Sequence, residues 1–236
     1  MHKYKEFILS SFSQYFKTIH ISFGFALVLI TLINLLYGIN FSAYFGNLTY
    51  TQIDLVSFAY IIPTIVLCAF INSLFSTILI YSVRKNIMQE TRKVYLLEFV
   101  KKHATYVFIF NLVMYFLLFL IFLILESTKI NFLIPILGLI ILFLNFYTIQ
   151  SIIIDNKHIF GAVSYGFFFL KRNFWKSFFI LLFLSLIYFI ISLISFYLSF
   201  GWIISMILYT IFFYPLSEIL KTVFYLTKYD IVKSYF

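Results

Sequence analysis

The chain has 236 residues, of which 64% are hydrophobic, 23% aromatic and 11% charged. A soluble domain carries about 45–50% apolar and about 25% charged residues, so water cannot solvate most of this surface. Disorder is excluded by the same wealth of aromatic and aliphatic side chains. Lysine and arginine number 17 against 8 acids, a formal net charge of +9. In a lipid-solvated chain that excess marks cytoplasmic helix ends facing anionic headgroups, not a nucleic-acid surface.

A helix needs about 20 apolar residues to cross ~30 Å of hydrocarbon. Six runs meet or approach that length: 21–39, 56–80, 106–125, 132–154, 178–200 and 203–224. None alternates apolar and polar residues with a period of two, so membrane-spanning strands are unsupported. The expected fold class is all-α: a polytopic bundle of six transmembrane helices forming one integral membrane domain over 1–236.

In chain order, Lys3, Lys5 and Lys17 precede the first run, and this long, mixed segment does not read as a cleaved signal peptide. The next loop carries Asn47-Leu48-Thr49, a glycosylation tripeptide too common to carry weight. The second run holds Cys68, the one cysteine, expected to pack as a small apolar residue. Arg84, Lys85, Arg92, Lys93, Lys101 and Lys102 follow it, whereas Lys129 stands alone between the third and fourth runs. Lys157, Lys171, Arg172 and Lys176 come next. The fifth and sixth runs are separated by little more than Gly201 and Trp202, which reads as a tight hairpin. Lys221, Lys228 and Lys233 close the chain, so 16 of the 17 basic residues share one side. The positive-inside rule then places both termini in the cytoplasm of a multi-pass cell-membrane protein.

The stretches before spans one, three and five end alike: Tyr15-Phe16-Lys17, Phe99-Val100-Lys101 and Phe169-Leu170-Lys171. Each is followed by an apolar hairpin whose second helix holds that unit's only proline, Pro63, Pro135 or Pro215. The chain reads either as three tandem units of surface segment plus hairpin, near 1–83, 84–155 and 156–236, or as a coincidence of a low-complexity sequence. The third surface segment, 157–175, is an amphipathic helix on the cytoplasmic side, with Ile159, Val163, Phe167, Leu170 and Phe174 on one stripe. Lys171, Arg172, Trp175 and Lys176 are its membrane-surface anchors, and Asn156 is expected to cap its start.

The stretch from Asp155 to Ser164, followed by Leu170-Lys171-Arg172-Asn173-Phe174-Trp175-Lys176, resembles a recurring pattern. That pattern is an acidic turn, a short helix ending in a basic K-x-N-x-W/F step, then a membrane span. It is similar to prokaryotic six-helix membrane proteins related to the membrane domain attached to some bacterial glycerophosphodiester phosphodiesterases. The segment from Pro215 through Tyr225 to Lys228 is similar to the closing span of that group. The resemblance implies a six-helix membrane fold and carries over no catalytic residue, since the phosphodiesterase chemistry belongs to a separate soluble domain.

Motifs for chemistry are missing from the sequence. His2, His20, His103 and His158 have no metal-ligand spacing, and neither a phosphate-binding loop nor a nucleophile elbow is present. The expectation is a non-enzyme without cofactor. Glu218 is the one acid inside a span, a candidate functional site by default, although Lys221 three residues on is a natural partner. Asn72, Asn111 and Asn145 fall at mid-span, where an amide needs a partner. They serve as interhelical glue or line a polar cavity. Two functions follow: organising membrane lipids or a membrane protein partner (a second copy included), or transporting a small solute or lipid through such a cavity.

Overall fold

Apolar runs longer than a bilayer crossing fold here into helices longer still. The computed structural model describes residues 2–36, 41–44, 47–50, 55–88, 96–127, 133–197, 204 and 207–229. Helix α1 covers His2–Leu36, α2 Leu55–Met88 and α3 Leu96–Ser127. At 1.5 Å per residue each is about 50 Å long, well beyond the ~30 Å of hydrocarbon. The surface segments expected before the first and third spans are therefore continuous with those spans. Between α1 and α2, strands β1 (Phe41–Tyr44) and β2 (Asn47–Tyr50) pair antiparallel, so Asn47-Leu48-Thr49 lies in a small hairpin.

The second half is more broken. Helix α4 spans Leu133–Leu144, α5 Thr148–Ile154, α6 Ile159–Arg172 and α7 Phe174–Tyr197. A π-helical turn at Tyr209–Phe213 leads into α8, Tyr214–Leu226, and a final 3₁₀ turn covers Thr227–Tyr229. Four stretches are long and apolar enough to cross a membrane: Ile62–Met88, Leu96–Ile121, Ile136–Ile154 and Phe174–Ile194. The run 21–39 falls inside α1 as far as Leu36, with 37–39 outside the described residues. The 203–224 run is described at 204 and from 207 onward, and the hairpin expected at Gly201 also lies outside the described residues.

Contacts fix helix directions. Tyr81 stacks near Phe99 with ring centroids 4.5 Å apart, while Ile65 packs with Phe119, so α2 and α3 are antiparallel. Phe7 meets Phe224 at 6.1 Å and Tyr15 meets Phe212 at 5.5 Å, which sets α1 antiparallel to the last helix. Gln150 reaches Glu218 and Asp155 reaches Tyr225, so α5 and α8 run parallel. Consecutive membrane crossings require this alternation.

All these helices bring Lys101, Lys102, Lys171, Arg172, Lys176 and Lys228 to exposed positions toward one end, the basic end. The main core lies toward that end, where Leu79, Ile80, Ile152, Ile153, Leu216 and Ile219 are fully buried. By contrast, α3 exposes Ile109, Val113, Phe116, Leu120 and Ile124, a surface suited to lipid chains.

Candidate functional site

Pro215 begins the local story. It has no N–H, so the carbonyl four residues back, at Ile211, loses its helical donor. Tyr15 of α1 supplies one: its hydroxyl donates to the Ile211 carbonyl at 3.0 Å. The π-helical turn at 209–213 sits over the same step, as such turns do at irregular, often functional, points of a helix. A residue from one end of the chain thus completes a helix at the other.

The fourth span is interrupted too. Between α4 and α5 the chain turns through Asn145–Tyr147, and the Asn145 side-chain Nδ2 donates to the Ile141 carbonyl at 3.0 Å, occupying the end of α4. The turn is held open to α6 by Gly166. A Cβ there would lie 3.0 Å from the Thr148 nitrogen and 3.1 Å from the Tyr147 carbonyl carbon, so backbone meets backbone. The chain turns at 155–158, and Gly166 lies back beside Thr148, so α5 and α6 form an antiparallel hairpin. Tyr147, fully buried, closes the arrangement with its hydroxyl 2.9 Å from the Ser177 hydroxyl of α7.

Two acids lie along the α5–α8 contact. Glu218 is only 2% exposed. Gln150 Nε2 donates to its Oε2 at 3.0 Å, and Lys221 Nζ donates to Oε1. Lys221 also sits 5.5 Å above the Phe146 ring, at the break of the fourth span. The expected Glu218–Lys221 pair is present, and Gln150 joins it. Two turns further on, Asp155 receives Tyr225 at 2.6 Å, Lys228 and Tyr229. Burial, then the hydrogen bond to the Asp155 carboxylate, pushes the Tyr229 hydroxyl well above its ordinary pKa. Beside this hub, Asn156 adopts φ 54° and its Oδ1 lies 2.7 Å from His103 Nε2, with His103 Nδ1 2.9 Å from the Phe99 carbonyl. Asn156 therefore ties the turn to α3 instead of capping α6, whose N-cap is His158.

The three mid-span amides do not all meet: Asn145 lies apart from Asn72 and Asn111. Asn72 Nδ2 donates to Tyr115 across the α2–α3 contact, Asn111 is buried one turn before Tyr115, and Asn145 bonds within its own turn. The surface helix packs part of its expected stripe, with Ile159, Val163 and Leu170 against the core. Helix α6 starts at Ile159 and ends at Arg172, with α7 beginning at Phe174. Ala162, Gly166, Phe169 and Leu170 pack against the protein, whereas Phe167 and Phe174 of the expected stripe are exposed. Outward positions carry Phe160, 90% exposed, Phe168 and, at the start of α7, Trp175, 78% exposed. The anchors Lys171, Arg172 and Lys176 are exposed beside them.

The sequence shows Tyr15 and Asp155 only as members of longer patterns and does not mark Gln150 as a site. Their signals exist only in pairs: a proline against a distant tyrosine, and an acid before a turn against a Tyr-x-x-Lys-Tyr ending. No group of three or more histidine, cysteine or acidic side chains able to hold a metal occurs among the described residues. The chain matches no protein-family model, no curated protein and no solved structure.

Proposed function

We propose that this is a six-span, non-enzymatic protein of the cell membrane, both termini cytoplasmic, that organises anionic lipid or a membrane partner around its basic end. One observation carries the reading: the outward side of α6 and the start of α7 present Phe160, Phe168 and Trp175 together with Lys171, Arg172 and Lys176, all exposed. Aromatic rings with polar or basic neighbours suit the headgroup boundary, and lysine and arginine attract anionic lipid there. The interior polar groups support it as well, since Glu218, Asp155, Asn72 and Asn145 spend hydrogen bonds on their own neighbours. The resemblance to the phosphodiesterase-associated membrane domain fits this architecture and adds no chemistry.

The test is native mass spectrometry of the full chain released from nanodiscs of phosphatidylcholine with or without phosphatidylglycerol. Phosphatidylglycerol is expected to be retained in preference, and the triple change Lys171→Glu, Arg172→Glu, Lys176→Glu to abolish the preference. Equal retention of the two lipids by the unaltered chain would sink the proposal. A transporter is the second reading. It draws on the break at 145–147 and the π-helical turn, because broken helices beside a buried polar pair occur at transport sites. Solute flux into vesicles that depends on Glu218 would favour it.

A further inference from the structure

The α2–α3 contact carries two unmet hydrogen-bonding groups of opposite kind. Asn72, 2% exposed, gives its Nδ2 to Tyr115, while its Oδ1 has no partner among the described residues. Asn111, 7% exposed, lies one turn before Tyr115 on the same side of α3, and its Nδ2 has no partner among the described residues. The antiparallel register of the two helices sets Asn72 level with the turn from Asn111 to Tyr115. An unmet acceptor on one helix and an unmet donor on the other therefore fall at one level of the α2–α3 contact, both away from solvent. Buried amide groups are almost always satisfied. Gln14 Oε1 and Gln150 Oε1 are also unmet among the described residues, but Asn72 and Asn111 set an unmet acceptor and an unmet donor at one level.

We propose that Asn72, Asn111 and Tyr115 form a binding site for one neutral hydroxyl group. A hydroxyl donates one proton and accepts through its lone pairs, so a single oxygen satisfies Asn72 Oδ1 and Asn111 Nδ2 together. A cation would meet the unmet Asn111 N–H groups, and an anion would meet the unmet Asn72 oxygen. Along the two helices the nearest charged residues are Arg84 and Lys102. At 12 and 9 residues away they lie about 18 and about 13 Å along the axes. Glu218 of α8, whose field reaches Tyr115, is already paired with Lys221. The hydroxyl comes from water or from a headgroup such as the glycerol of phosphatidylglycerol. The site belongs to the chain itself and stands independently of the lipid-organising reading, since it lies on α2 and α3 and not on α6 and α7.

The experiment is hydroxyl-edited solid-state NMR of the full chain, 15N-labelled at asparagine, in vesicles of phosphatidylcholine alone or with phosphatidylglycerol. The Asn72 and Asn111 amide signals, identified by their loss in Asn72→Leu and Asn111→Leu, are expected to receive polarisation from a hydroxyl proton. Tyr115→Phe removes the protein's own hydroxyl from the contact. Transfer that persists in that variant in phosphatidylcholine alone identifies water, and transfer that persists only with phosphatidylglycerol identifies the lipid. Transfer lost in both overturns the proposal. Asn111→Leu is expected to remove at least half of the transfer to Asn72. Asn111→Gln, which keeps the donor, retains it and guards against a simple folding defect. Polarisation from acyl chains alone, or a direct Asn72–Asn111 hydrogen bond, overturns the proposal.

Discussion

Two regions of the molecule use helices in opposite ways. The α2–α3 pair is two continuous helices, α2 with Pro63 inside it, and its outer face on α3 is plain hydrocarbon surface. Around α5, α6 and α8 the helices are short, interrupted by a turn at 145–147 and a π-helical turn at 209–213. Every interruption frees backbone groups, and in a nonaqueous interior another residue must satisfy each one. Tyr15 does so for Ile211, while the Asn145 side chain adds a second donor to the Ile141 carbonyl, which keeps its helical bond from the Asn145 backbone N–H. Regular helix tolerates lipid on one side, whereas irregular helix must be surrounded by protein. Hence α5 is buried at six of its seven positions, while most of the α3 window suited to crossing is not.

The contrast breaks hardest at Glu218. Glu218→Gln leaves Lys221 without its counter-ion in a site closed to solvent, and losing one partner of a buried pair costs about 3–5 kcal/mol. Thermal unfolding in bicelles measures this, and an unchanged midpoint would show that the pair contributes nothing. Glycine substitutions sharpen the contrast next. Gly166→Ala drives a Cβ into the backbone of Thr148 and Tyr147, an overpacking expected to cost about 1–3 kcal/mol. At Gly138 of α4 the same Cβ would meet only Leu118 Cδ2 at 4.0 Å, so Gly138→Ala is expected to stabilise by about 0.5–1 kcal/mol through helix propensity. Opposite signs from the same unfolding assay are the expected result, and equal effects would remove close packing as the reason for the glycine.

These sites differ in how far the sequence exposes them. The apolar runs and the Glu218–Lys221 spacing are local or periodic, and they follow from single-helix geometry. The break of the fourth span does not, because Phe143-Leu144-Asn145-Phe146-Tyr147-Thr148 carries no proline or glycine. There the Asn145 side chain and the approach of Gly166, eighteen residues beyond Thr148, decide the backbone path. The stripe on α6 is packed only in part: Ile159, Val163 and Leu170 lie against the core, whereas Phe167 and Phe174 are exposed. That helix is apolar nearly all round, so periodicity alone cannot tell the protein-facing side from the outward one. The small residues Ala162 and Gly166 mark the packed side, and size is a signal that hydrophobic spacing ignores.

Tyr15→Phe tests the repair of the proline step at smaller scale. It leaves the Ile211 carbonyl without its donor and is expected to cost about 1–2 kcal/mol, in the range for a buried group left unsatisfied. Retention of full stability would mean that the π-helical turn satisfies that carbonyl unaided.

The smallest effect is expected at the Asp155 hub, where pH separates the basic end from the α2–α3 wall. Tyr229 is 39% exposed, so water screens part of its interaction with the carboxylate. Its folded pKa is raised by burial and by the Asp155 hydrogen bond, with Arg84 opposing. A raised pKa means the folded chain holds this proton more tightly than the unfolded chain does. The contribution is then complete below the unfolded value of about 10 and is lost as pH rises beyond it. Lysines titrate in the same range, so the informative quantity is the difference between the unaltered chain and Tyr229→Phe. Stability of the unaltered chain should fall more steeply between about pH 9.5 and 11 than that of the variant. Parallel curves would detach Tyr229 from the hub, whereas a steeper variant curve would reverse the sign of its coupling to Asp155.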